Sequence, residues 1–256
     1  MNYLFIKELL KTNMRASMAL KGAFVLNAFF MVINNLAFFT VWWVFFTQFK
    51  NINGWGLAEV SAMYGITAFS FGIAVILAGG ARDLSKMVVD GELDSYLVQP
   101  KDVLLHILGS KSQMSGWGDL VSGFFLIAVS GYLTWANAIP LIILNFSAAA
   151  VFLSFRIIVH SLSFWLGPME NLSRQLSEFI ITFSAYPQTL FNTYFKVFLF
   201  TIIPAGFIGY LPVKYLMEKN IFLLLGAFLA GVFYLLLARI IFMQGLKRYE
   251  SGNKIL

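Results

Sequence analysis

Cysteine is absent from the 256 residues, which removes thiol chemistry, disulfide scaffolding and thiolate metal sites and leaves the redox compartment unmarked. Charge is scarce as well: Asp, Glu, Lys and Arg make up 12% of the chain, about half of what a soluble domain carries. So little polar surface excludes a disordered chain, a disulfide-stapled secreted module and an ordinary soluble globule. Only two histidines occur, His106 and His160, in different segments. No His-Glu-x-x-His helix and no Gly-x-Ser-x-Gly elbow is present, so metalloprotease and serine-hydrolase chemistry have no residues to use.

A nucleotide site is missing too. Gly109-Ser110-Lys111-Ser112 is the nearest approach to a phosphate loop and lacks the Gly-Lys-Ser/Thr order, and no Gly-x-Gly-x-x-Gly run exists. Asp90, Glu92 and Asp94 are spaced like the opening of a calcium loop. Ser95 stands where that loop needs glycine and Lys101 where it needs a bidentate acid, which excludes it. The chain is therefore expected to hold no catalytic residue, cofactor or metal of its own.

What is abundant is apolar: 59% of residues are hydrophobic and 17% aromatic, with mean hydropathy +0.79. This composition reads as an all-α integral membrane protein, a single membrane domain over 1–256, with room for at most about seven spans. The net charge of +6 is read as topology, not as a phosphate-binding surface, and nucleic acid is excluded as a partner.

Residues 1–21 read as an amphipathic helix lying along the membrane, with Lys7, Lys11 and Arg15 as a basic stripe beside Ile6, Leu9, Leu10 and Met14. Span one fills the uncharged run from Lys21 to Lys50, with Trp42 and Trp43 as interfacial anchors. Span two lies between Glu59 and Arg82, joined to it by a short link with Gly54 and Gly56. Asn27 and Asn34 share a face of span one expected to point at protein. A charged loop follows over 82–116. Span three is expected from Leu120 to Trp135 and span four from Leu141 to Leu166, around a turn at Asn137 to Pro140. Gly167, Pro168, Glu170 and Arg174 mark an aqueous break.

Span five is expected to end near Tyr186. Pro187, Pro204, Gly206, Gly209 and Pro212 interrupt the next segment, and a re-entrant hairpin over 187–212 fits these breakers. A sixth span runs from Ile221 to Met243. Six spans place both termini, the charged loop, Arg174 and Lys247, Arg248 and Lys254 on the cytosolic side, and leave Lys50, Lys196, Lys214 and Lys219 outside. A seven-span alternative moves the tail outside. Arg156 and His160 are read as lying near the inner end of span four, where Arg156 snorkels, and Arg239 in span six is read the same way. No acidic residue is expected within a span core.

The run Asp90-Gly91-Glu92-Leu93-Asp94-Ser95-Tyr96-Leu97-Val98-Gln99-Pro100 resembles the cytosolic loop of permease subunits in the type-two ABC exporter class. The likeness is to the branch whose loop reads Gly-Glu-Leu-Asp-x-Tyr-Leu and then Pro, and the order of segments along the chain matches that family's plan. Locally, Gly91 can end one helix and Pro100 block the next, with Leu93, Tyr96 and Leu97 forming an apolar face beside Glu92 and Asp94. The resemblance makes this a coupling helix for a separate ATP-binding subunit, which binds the ATP and magnesium. It implies two such subunits, pairing with a second permease copy or a related permease, and contact with membrane lipid. It also implies a multi-pass location in the plasma membrane (bacterial inner membrane), and export of an amphipathic or lipid-like substrate along spans one, two and five, with the hairpin closing the outer end. A secondary transporter or channel, or a non-transporting scaffold, are the alternatives from the residues alone.

Overall fold

The computed structural model describes residues 2–250, and all regular structure among them is helical. Lys254 lies outside the described residues, as does the side chain of Ile6. In chain order the helices are α1 (Asn2–Met18), α2 (Lys21–Gln48), α3 (Leu57–Leu77), α4 (Leu84–Val89), α5 (Asp94–Leu97), α6 (Val103–Gly109), α7 (Ser115–Val129), α8 (Ala138–Ser161), α9 (Ser163–Leu166), α10 (Glu170–Ser184), α11 (Thr193–Thr201), α12 (Tyr210–Glu218) and α13 (Ile221–Leu246).

Four stretches are long and apolar enough to cross a membrane: α2, α3, Trp135–Leu166 around α8, and α13. The pair Thr193–Thr201 and Pro204–Glu218 passes the same test only together, through a bend of 78°. α7 and α10 have 15 residues each, about 22 Å of helix. They are shorter than a hydrocarbon core of about 30 Å.

The expected third span is shifted towards the N-terminus. α7 begins at Ser115 and ends at Val129, because Gly131 turns the chain with φ of 78°, a conformation open to glycine without strain. Asp119 thereby falls inside an apolar helix, which corrects the expectation of acid-free spans. The fifth segment also starts early, at Glu170, inside what the sequence marks as a break. The α2–α3 link is a two-residue hairpin: Ile52 and Trp55 exchange backbone hydrogen bonds of 2.8 and 2.9 Å around Asn53 and Gly54, with φ of 50° and 83°. Asn-Gly suits such a primed turn, since both central residues need positive φ.

Packing runs as a relay: α2 leans on α7, α7 on α3, α3 on α8 and α8 on α13, with α10 against α8 and α3. The α3–α7 seam is backbone on backbone. A Cβ at Gly65 would sit 2.8 Å from the Ile127 nitrogen, and one at Gly123 would sit 2.5 Å from that of Phe69. Small residues permit this approach, and close packing is what holds helices together where lipid removes the hydrophobic drive.

Span one presents different asparagines from those expected. Asn27 is exposed and donates to its own helix at Ala23 O, and Asn34 is exposed too. Asn35 is the buried one: its Nδ2 donates to Asp119 Oδ1 and to Ser122 Oγ, each at 2.8 Å. A heptad rule over an almost wholly exposed helix could not select this face, because α2 touches the bundle along one narrow line.

Contacts gather at two ends. At one, α1 rests on α6, with Asn13 donating to Gly109 O at 2.6 Å, and Arg239 pairs with Asp102 at 2.8 Å. At the other, Asn53 donates to Thr189 O at 3.4 Å, Trp55 stacks on Tyr210 at 5.4 Å, and Lys219 donates to Asn137 Oδ1 at 2.6 Å. Both limbs of the segment from Gln188 to Lys219 thus touch the same end.

Candidate functional site

A cavity of about 760 Å³ lies between α2 and α10, backed by α3, α7 and α8. These include the three helices, α2, α3 and α10, that stand at spans one, two and five. Its walls divide by chemistry. Towards the hairpin end it is lined by Phe38, Val41, Trp42, Phe45, Tyr64 and Tyr186; towards the opposite end by Asn35, Arg82, Asp119, Arg156, His160, Arg174 and Glu178. A second cavity of about 570 Å³ shares Arg82, Gln113, Ser115 and Arg174 with it and reaches α1.

The aromatic end is shut by side chains. Trp42 and Tyr186 meet edge to face at 5.4 Å, joining α2 to the end of α10, and Asn53 reaches Thr189 just beyond. α10 can line such a space because it is amphipathic: Ser173, Ser177, Ile180 and Ser184 face the bundle, while Arg174, Glu178 and Thr182 do not. Ser173 fixes this helix to α8 by donating to Val159 O at 2.9 Å.

Arg156 does not snorkel. It is 7% exposed and His160 1%, and the guanidinium lies 5.7 Å from the centre of the Phe71 ring. Its Nε, the His160 Nδ1 and the Asp119 Oδ2 are buried without a hydrogen-bond partner. Sequence position alone places Arg156 near an end of α8, but α10 and the Gly79–Asp83 turn pack across that end and leave its side chain facing only the cavity. Asp119 is the functional candidate sequence reading missed. Its signal was Asn35, Asp119 and Ser122, polar residues at helical spacing on two adjacent helices.

In the charged loop, α4 ends at Val89 and Gly91 reverses the chain with φ of 76°. α5 is a single turn, Asp94–Leu97, and stops before Pro100. Leu93 is fully buried among Ala81, Leu84, Met87, Ile107 and Phe242, so it anchors the loop and cannot be part of a docking face. Tyr96 is half-buried, its ring edge-on to His106 at 4.8 Å. Leu97 and Val98 are 42% and 82% exposed, and Asp90, Glu92 and Pro100 are exposed beside them. Val98 therefore joins Leu97 where Leu93 was expected. Four residues give only one helical turn, so one face cannot hold three side chains outward.

In the interrupted segment, Pro187, Pro204, Gly206, Gly209 and Pro212 are all buried. Pro204 opens a tight turn, Pro204–Phe207, and Pro212 sits in the first turn of α12, where a missing N–H costs nothing. Gly209 packs directly on Ser184 O at the end of α10.

The family described as "ABC-2 family transporter protein" has a model that matches residues 31–252. No curated protein and no solved structure matches the chain.

Proposed function

This chain belongs to the ABC-2 transporter family, a multi-pass membrane permease of an ABC transporter, and from that premise we propose that it exports an amphipathic or lipid-like substrate. The observation that carries the reading is the cavity, closed at its aromatic end by Trp42 and Tyr186 and continued at its basic end into a second cavity. A space shut on one side and reachable from the other is the loading half of an alternating cycle.

The basic end is the cytosolic one in this proposal. Lys7, Lys11, Arg15, Lys86, Lys101, Lys247 and Arg248 belong to that end, and Lys50, Lys196, Lys214 and Lys219 to the other, which agrees with the bias of cytosolic loops towards Lys and Arg. The chain then crosses six times, through α2, α3, α7, α8, α10 and α13. Gln188 to Lys219 enters and returns on the outer side, supported by the contacts of Thr189 and Lys219 with outer turns. Both termini are cytosolic.

Hydrolysis belongs to separate ATP-binding subunits, two per complex, which hold the ATP and magnesium. They dock on the tip formed by Asp90, Glu92, Leu97 and Val98. Buried Leu93 and half-buried Tyr249 connect that tip to α8 and α13, so movement of the tip is transmitted to the bundle. A second permease, a copy of this chain or a relative, completes the wall between α2 and α10. Asp119 favours a second reading, an ion-coupled carrier, because a buried carboxylate in a membrane helix is a proton or cation site elsewhere.

Gentle detergent extraction of the tagged chain from its native membrane, with identification of bound subunits and an ATPase assay, tests the proposal. Recovery of an ATP-binding subunit, lost in Leu97→Asp, supports the exporter. A clean chain that catalyses ion-dependent flux in vesicles supports the carrier.

A further inference from the structure

We propose that the basic wall of the cavity is a headgroup site for an anion, phosphate, sulfate or carboxylate, carried on an apolar body, with Arg156 as its central ligand. The proposal names the substrate class for the exporter reading and rests on it for its purpose.

Arg156 is the reason. A guanidinium stays charged in proteins and offers five donors, and burial without an acceptor is strongly unfavourable. Structural arginines in membrane helices meet this by pairing. Among the described residues Arg156 has no ion pair, its Nε has no hydrogen-bond partner, and a ring face is its nearest aromatic contact. It lines the cavity, so the acceptor it lacks has room to enter.

The surroundings select for charge and shape. His160, one turn further on α8, is also buried and has an unpartnered Nδ1. Arg82 and Arg174 stand at the mouth on the Gly79–Asp83 turn and α10. The carboxylates on these walls are Glu178 and Asp119. Neither forms an ion pair with Arg156, and Asp119 is engaged by Asn35 on the far side. Arg174 is held by Glu170, which leaves Arg156 and Arg82 as the cations lining this cavity that have no ion pair among the described residues. A planar fork beside a second guanidinium suits a tetrahedral or planar oxyanion. Phe38, Trp42 and Phe45 then line the path of the apolar portion.

The test uses the full chain in nanodiscs of zwitterionic lipid and radiolabelled dodecyl phosphate as the probe. Saturable binding is expected, displaced by unlabelled dodecyl phosphate and not by dodecyl glucoside or inorganic phosphate at a hundredfold higher concentration. Arg156→Gln is expected to weaken binding about tenfold or more, and Arg156→Lys to restore most of it. Arg82→Gln, at an exposed residue, is expected to weaken it about threefold. Displacement by the glucoside as readily as by the phosphate overturns the anion site. Equal displacement by inorganic phosphate overturns the apolar portion. Wild-type affinity in both Arg82→Gln and a folded Arg156→Gln removes these residues. Binding is read without any ATP-binding subunit, so its failure leaves the Leu97→Asp extraction result untouched, and the reverse holds too.

Discussion

The Tyr249 hydroxyl donates to Asp94 Oδ1 at 3.0 Å, tying the chain just beyond α13 to the single turn of α5. Because α13 packs along α8, this bond links the docking tip to the bundle. Tyr249→Phe keeps the ring against Phe164 and removes only the donor. Stability is expected to fall by about 1 kcal/mol, while ATP hydrolysed per substrate moved rises. A double-mutant cycle with Asp94→Ala, which removes the acceptor, read by thermal unfolding in detergent, is expected to show a coupling of about 0.5 kcal/mol or more. Additive losses would show that the two residues do not communicate.

The docking tip separates two kinds of loss. Leu97→Asp and Val98→Asp change exposed side chains and are expected to leave yield and melting unaltered while abolishing co-purification of the ATP-binding subunit. Leu93→Ala empties a fully buried site and is expected to cost about 2–5 kcal/mol, visible as lost expression. Size-exclusion profiles and subunit recovery for the three variants distinguish these outcomes.

These contrasts show what the sequence could convey. Apolar runs and their flanking charges located α2, α3, α8 and α13, because a membrane helix is specified by composition over about 20 residues. Gly91 and Pro100 bounded the loop helices, since their backbone limits are local. The faces were less legible. Leu93 and Leu97 are alike as residues, and only the fold of α4 and α6 around Leu93 decides which one is inside. Asp119 stands just before Leu120, where a charge reads as the boundary of an apolar run, whereas its acceptor oxygen is satisfied by Asn35, 84 positions away. α10 was hidden for the related reason that its charges face a cavity, which no one-dimensional window can reveal.

Asp119 also supports the α2–α7 contact. Asp119→Ala removes the acceptor of a buried amide on a helix with few other contacts, and is expected to cost about 1–3 kcal/mol. Asp119→Asn keeps an acceptor oxygen for Asn35 and is expected to retain most of that stability. Detergent melting of both variants checks this order. If the alanine variant proves as stable as wild type, the Asn35–Ser122 hydrogen bond and packing such as Gly118 on Ala28 hold α2 without the carboxylate.

His106 makes the loop sensitive to acid. Its ring lies between Phe5 at 5.1 Å and Tyr96 at 4.8 Å, and burial, with Lys101 nearby, lowers its pKa from the ordinary value. The unfolded chain then takes up the proton first. The stability conferred by neutral His106 is present above about pH 6.5 and is lost as the pH falls through the lowered value. Hydrogen exchange across residues 94–109, corrected for the intrinsic amide rate at each pH, is expected to speed up between pH 7.5 and 5.5 in the wild type and to change less in His106→Gln. Equal acceleration in both would assign the effect to other groups.

The absence of native cysteine makes the Trp42–Tyr186 closure directly testable. With Trp42→Cys and Tyr186→Cys introduced together, a short bifunctional thiol reagent can join only α2 and the end of α10. The two aromatic rings are in contact in the chain alone, so rapid cross-linking is expected in the nucleotide-free complex, and the joined protein is expected to lose transport until a cleavable linker is reduced. Adding a non-hydrolysable ATP analogue drives the ATP-binding subunits together and, if α2 and α10 separate at this end to release substrate outwards, slows the cross-link several-fold. An unchanged rate with nucleotide, together with normal transport after cross-linking, would mean that the contact is a fixed packing element and that the cavity opens elsewhere. A slowed rate with preserved transport would mean that the two helices move apart on nucleotide binding without that movement releasing substrate, which also overturns the gate.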